Sequence, residues 1–187
     1  MKERPIIFST EMVKAILEGR KTQTRRVIKA CSTATLHDGN QPEWVFTTAK
    51  CPYGQVGDRL WLKETWWKDQ SGGCWGYKAD GIEWPPPNCG GKSMSSMFMP
   101  RWASRLLLEI TEVRVQRCQE IWLQDAMAEG CSLDFDMEHF GTYKDPITKF
   151  RELWDSLNAK RGYSWEINPW VWVINFKRVE EASCAKQ

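Results

Sequence analysis

The chain has 187 residues, 42% of them hydrophobic and 27% charged, a balance that fits a folded domain and excludes a disordered or collagen-like chain. Its 26 Lys and Arg against 24 Asp and Glu leave a net charge of +2, too small to demand a polyanionic partner. No apolar run approaches the roughly 20 residues needed to cross a bilayer, and the start up to Phe8 is too poor in apolar residues for a signal peptide. A soluble, cytoplasmic chain without a membrane partner is therefore expected.

In chain order, Ile6-Ile7-Phe8 predicts a short strand, and Ser9 caps a helix with Glu11 in its first turn. Met12, Val13, Ile16 and Leu17 form an apolar stripe at helical spacing, and Gly19 suits the stop. The polar run Arg20-Lys21-Thr22-Gln23-Thr24-Arg25-Arg26 then feeds a strand at Val27-Ile28. Glu43 to Thr47 predicts another strand, and Cys51-Pro52-Tyr53-Gly54 a turn. From Arg59 to Lys63 the period is two, with Leu60 and Leu62 on one face. Glu64 falls on that apolar side, where a carboxylate must be paired or functional.

Between Trp66 and Pro100 the pattern dissolves into Gly, Pro and Ser, including Trp84-Pro85-Pro86-Pro87. The reading is one domain over 1–187 with a loop-rich insertion at about 67–99. Periodicity returns from Ser104 to Val115. A short helix follows from Leu123 to Glu129, ending at Gly130. A longer helix is capped by Asp145 with Pro146 in its first turn, burying Ile147, Phe150, Trp154 and Leu157 and stopping near Gly162. In the last strand Trp170, Trp172, Ile174 and Phe176 line one face and Val171 and Val173 the other, which makes it central to its sheet. Strands and helices mix without regular βαβ alternation, so the class is α+β with a curved or barrel-like sheet.

Charge is unevenly spread. Six bases stand against one acid between Lys14 and Lys29, and seven acids against three bases between Glu129 and Asp155. The seven cysteines include no CxxC pair and read as reduced thiols, with no metal site and no cofactor expected. Among twelve tryptophans, Trp66-Trp67 and Trp84 stand in loop-like surroundings and are the candidates for exposed stacking platforms. Gly90-Gly91-Lys92-Ser93 lacks the earlier glycine of a phosphate-binding loop, since position 86 is Pro86. His37 and His139 are the only histidines, in neither a triad nor a ligand pattern. Chemistry must then use lysine, threonine, carboxylate or arginine.

Gly19, Lys21 and Arg26 fill the spacing GxKxxxxR, and here the chain resembles the ASCH family of the PUA-like superfamily. The stretches Gly57 to Trp66, Met99 to Arg105 and Asn168 to Val173 resemble further blocks of its phage and prophage subgroup. The resemblance implies a small β-barrel flanked by helices, with Lys21 facing a ligand cleft. Gly19 to Thr24 is similar to the lysine–threonine motif of a bacterial branch that hydrolyses N-acetylated cytidine with a lysine, a threonine and a glutamate. It places Lys21 and Thr24 on the catalytic pair, with Glu64 the candidate glutamate by position in the fold.

A threonine hydroxyl attacks an amide only if a base takes its proton and something stabilises the oxyanion. Two arrangements satisfy this. Either a desolvated Lys21 is the base and Glu64 handles the leaving amine, or Glu64 is the base and ammonium Lys21 stabilises the oxyanion. The second needs the smaller pKa shifts. Arg20, Arg25, Arg26, Arg101 and Arg105 offer donors to phosphate or to a base edge, and Trp66 offers stacking or core packing. Arg26 can alternatively pair with an acid such as Glu64. The expected function is binding of RNA or a pyrimidine nucleoside, with an amidohydrolase removing an N-acyl group from cytidine as the leading enzyme reading. A non-catalytic RNA-binding module and a ribonuclease using the same cleft are the alternatives.

Overall fold

The computed structural model describes residues 1–29, 50–69, 75–81, 92–132 and 145–179. The strand expected at 43–47, both histidines, Trp84, the triple proline and Gly90-Gly91 lie outside the described residues. The class is α+β. The elements are β1 (Glu3–Ile7), α1 (Thr10–Leu17), β2 (Gln23–Val27), β3 (Arg59–Lys63), β4 (Trp66–Lys68), β5 (Trp75–Tyr77), β6 (Lys92–Met94), β7 (Leu107–Arg117), α2 (Leu123–Ala128), α3 (Pro146–Asn158) and β8 (Trp170–Val179). Five strands take the order β1-β3-β7-β8-β2, and β5-β4-β6 form a separate three-stranded sheet.

The chain divides into two compact units, one of Met1–Thr22, Tyr53–Thr111 and Phe176–Gln187, the other of Gln23–Pro52 and Glu112–Asn175. In the first, β1 runs parallel to β3, and β3 runs antiparallel to the start of β7, with Leu60 opposite Leu108. The expected alternation on β3 holds: Leu60 and Leu62 are buried while Arg59, Trp61 and Lys63 are partly exposed. Ser9 caps α1, its hydroxyl accepting from the Met12 N–H. Gly19 adopts a left-handed φ of 74° just past the helix end, a conformation that costs glycine little.

Regular structure extends into the expected insertion. Trp66 to Lys68 pairs antiparallel on one side with Trp75 to Tyr77 and on the other with Lys92 to Met94. Three-residue strands show no periodicity in sequence, which is why this sheet reads as loop. Trp66 and Trp67, expected as exposed platforms, are both buried. Trp66 packs with Met99 and Ala103 on one face. Trp67 faces the other way, against Gly76, where an added Cβ would lie 2.4 Å from the indole nitrogen.

The second unit has its own core. Cys118, Ile121, Ala126, Cys131, Phe150, Trp154, Val171 and Val173 pack together, with Val27, Ile147, Leu153 and Trp165 around them. Asp145 caps α3 through the N–H groups of Ile147 and Thr148, with Pro146 in the first turn. Leu157 corrects the stripe expected on this helix: it is exposed, because it sits in the last turn beyond the packed face. β8 is paired to β2 along Val171–Asn175, and its residues Val171 to Ile174 are buried in succession. That agrees with a central strand whose two faces are both covered.

Candidate functional site

The first unit buries a lysine and a glutamate. At the end of α1 the Ala15 carbonyl accepts from two successive N–H groups, those of Arg20 and Lys21, at 2.9 and 3.0 Å. This double acceptance turns the chain sharply and sends Lys21 inward. Its side chain is the largest among the most deeply buried, at 2% exposure, with Nζ 5.8 Å from the centre of the Phe8 ring. Phe8 in turn packs at 6.2 Å against Phe176. A cation over an aromatic face recovers part of the hydration it has lost.

Glu64 continues the inward face of β3 and is 1% exposed. Arg105 grips it with a fork: Nε donates to Oε1 at 3.0 Å and Nη2 to Oε2 at 3.1 Å. The third arm of the guanidinium, Nη1, donates to Asp80 Oδ1 at 2.6 Å. The guanidinium lies 4.0 Å over the Tyr77 ring, and the Tyr77 hydroxyl donates to the Ala103 carbonyl at 2.8 Å. The Glu64 N–H points at Met99 Sδ, 3.3 Å away. Each group fixes the next, so the carboxylate is held in one orientation. Burial pushes the Glu64 carboxyl above the ordinary carboxylate range, the Arg105 hydrogen bonds and charge pull it part of the way back, and the Asp80 charge adds to the rise.

The other residues singled out in sequence are distributed as follows. Thr24 is buried on β2 in register with Ile174. Arg25, expected to face a ligand, lies instead with its side chain at 0% exposure, donating to Asp125 at 2.9 Å and to Glu129 at 3.4 Å. It tethers α2 to β2 within the second unit, and Arg114 joins the same Asp125 at 2.8 Å. Arg26, in register with Trp172, is half-buried. Arg20 bonds the neighbouring Glu18 through Nε at 2.7 Å. Arg101 donates to Glu3 at 2.8 Å, and that bond holds the Glu3 carboxyl below its usual range.

The structure thus joins Glu64 to Arg105, where the sequence had offered Arg26 as the partner. Asp80 and Tyr77 complete the network and were missed, since they fall in the segment without periodicity. The exposed tryptophans were missed too: Trp75, Trp102 and Trp122 reach solvent, whereas Trp66 does not. Among the described residues no three His, Cys, Asp or Glu side chains group as a metal set, and no helix is long and apolar enough to cross a membrane.

No family model matches the chain, and no curated protein matches it. Among solved structures it is similar to an ASCH domain from Lactobacillus crispatus JV V101, with a TM-score of 0.45 and 12% identity over 95% of this chain and 79% of that one. It is also similar to a protein from Enterococcus faecalis V583 of the DUF984 family, with a TM-score of 0.48 and 10% identity over 100% of this chain and 87% of that one. Neither likeness carries a residue's role across to this chain.

Proposed function

We propose that this chain is an ASCH-type, PUA-like protein that binds a pyrimidine nucleoside, free or within RNA, and removes an N-acyl group from modified cytidine. The observation that carries the reading is the buried Glu64, its carboxyl raised by desolvation and held by the Arg105 fork, in the unit that also buries Lys21. Burying a lysine and a carboxylate is costly for a fold, and perturbed carboxylates of this kind concentrate where proton transfer is needed.

In the reaction, Glu64 takes the proton of a hydroxyl as its oxygen attacks the acyl carbonyl carbon, and the Lys21 ammonium faces the oxyanion that forms. The C–N bond then breaks, Glu64 returns the proton to the departing amine, and water releases the acid by the same sequence. The family resemblance assigns that hydroxyl to Thr24, three residues along the chain from Lys21. An RNA module relying on the basic run alone is the weaker reading, because Arg25 is buried between carboxylates and Arg20 is bonded to Glu18.

Incubation with N-acetylcytidine, followed by chromatography of the freed cytidine, tests the reading. Thr24→Ala and Glu64→Gln should each lower kcat at least 100-fold while calorimetric binding of the nucleoside persists. The wild-type rate should rise with pH through a value above the 4.5 of an ordinary glutamate. Absence of turnover, or turnover indifferent to both substitutions, would refute it.

A further inference from the structure

The sheet β5-β4-β6 presents an exposed edge of unusual composition. Residues directly opposite on paired strands project to the same face, so Trp75, Lys68 and Lys92 form one row across the three strands, next to the inner row Tyr77, Trp66 and Met94. Trp102, 59% exposed, sits beside them in the short turn Arg101–Ala103. Its ring meets Trp75 edge-on at 5.7 Å and Trp66 edge-on at 5.8 Å, and Lys68 Nζ lies 6.0 Å from it. Phe98 and Met97, just upstream, are exposed as well.

The lysines of this row point to a ligand. Lys68 and Lys92 are in register as a cross-strand pair, and like charges placed so repel. Among the described residues neither has a carboxylate partner. Two ammonium groups beside two solvent-reaching indoles ask for an anion joined to flat rings.

We infer that this face, built from Trp75, Trp102, Lys68 and Lys92, binds single-stranded nucleic acid, with bases stacked on the exposed indoles and phosphates between the lysines. Aromatic stacking tolerates any base, while the paired lysines supply a salt-dependent contact to the backbone. A folded protein partner would leave the lysine pair uncompensated unless it brought carboxylates, and would need a broader apolar area. The inference goes beyond the proposed deacylation and does not depend on it: a free nucleoside has no backbone for the lysines to hold.

The test is fluorescence anisotropy of a labelled 12-nucleotide RNA, titrated with the intact protein at several salt concentrations. Trp102→Ala should weaken binding about 5- to 150-fold. Lys68→Gln with Lys92→Gln should lower the slope of log affinity against log salt by about 1.4, two phosphate contacts on a single strand. The lysine variants touch no packed core, so they keep the test decisive if Trp102→Ala unfolds, and Trp122→Ala on the second unit serves as a control expected to change nothing. Undetectable RNA affinity in the wild type at low salt would overturn the inference, as would affinity and salt slope unmoved by the lysine double variant. Deacylation of free N-acetylcytidine, followed in parallel, should survive all of these substitutions, so the two proposals fail separately.

Discussion

Replacing Arg105 with methionine keeps the aliphatic stem and removes the guanidinium. Glu64, at 1% exposure, then loses two donors, and Asp80 loses its 2.6 Å bond. Breaking a buried ion pair from one side costs about 3–5 kcal/mol, and the guanidinium here is one quarter exposed, so the penalty at neutral pH belongs near about 3 kcal/mol. For a chain of this length that is a fall in Tm of roughly 6–12 °C. The penalty must also depend on pH. Unfolded, Glu64 titrates near 4.5; folded, its carboxyl is raised. Stability linked to Glu64 is therefore complete below 4.5 and is lost as pH climbs through the folded value. Arg105 restrains that rise, so its removal lifts the folded pKa further and steepens the loss. Urea denaturation of Arg105→Met and wild type should give curves that separate widely at pH 7 and draw together towards pH 4. Placed on a Glu64→Gln background, the same substitution should cost only about 1 kcal/mol, the scale of an ordinary hydrogen bond, and should lose its pH dependence. A penalty constant from pH 4 to pH 7 and equal in both backgrounds would refute the reading of this network.

Two further outcomes test the scaffold. Gly76→Ala should destabilise the three-stranded sheet by about 1–3 kcal/mol, because the new methyl falls 2.4 Å from the Trp67 indole nitrogen; an unchanged melting curve would show that the indole yields. Asp145→Ala should cost about 1 kcal/mol through loss of the α3 cap. The bond from the Thr148 hydroxyl, with the backbone N–H bonds, holds the Asp145 carboxyl below 3.8, so the wild-type advantage in urea denaturation should be present above that value and fade as the pH falls through the lowered one.

Wherever local rules decide, the residues announce the structure. Ser9 and Asp145 cap their helices, the β3 alternation buries Leu60 and Leu62, and apolar side chains on both faces mark β8 as central. Glu64 illustrates how far such rules reach. Its position on an apolar face showed that it needed a partner, but choosing Arg105 over Arg26 required knowing which distant segments meet, and nothing in local spacing encodes that. The same limit hid Asp80 and Tyr77, which enter from a sheet too short to show a period. Tryptophan exposure escaped for a related reason: Trp66 looked loop-like but lies on a strand over Met99, while Trp102 sits in a short turn that leaves its ring in solvent. Basic residues were misjudged by proximity in sequence, since Arg25 sits in a cationic run yet meets its carboxylates 100 and 104 positions away.

The turn at the close of α1 ties the direction of one side chain to the phase of a helix. Because the Ala15 carbonyl gathers the N–H groups of both Arg20 and Lys21, the azimuth at which Lys21 departs is set by where the helix runs out. An α-helix advances about 100° per residue, so a single insertion or deletion between Thr10 and Leu17 would swing the ammonium to another quadrant without altering any residue it touches. The length of eight residues in α1 is in this sense a coordinate of the Lys21 side chain, and variation in this segment should be accommodated by substitution far more readily than by change of length.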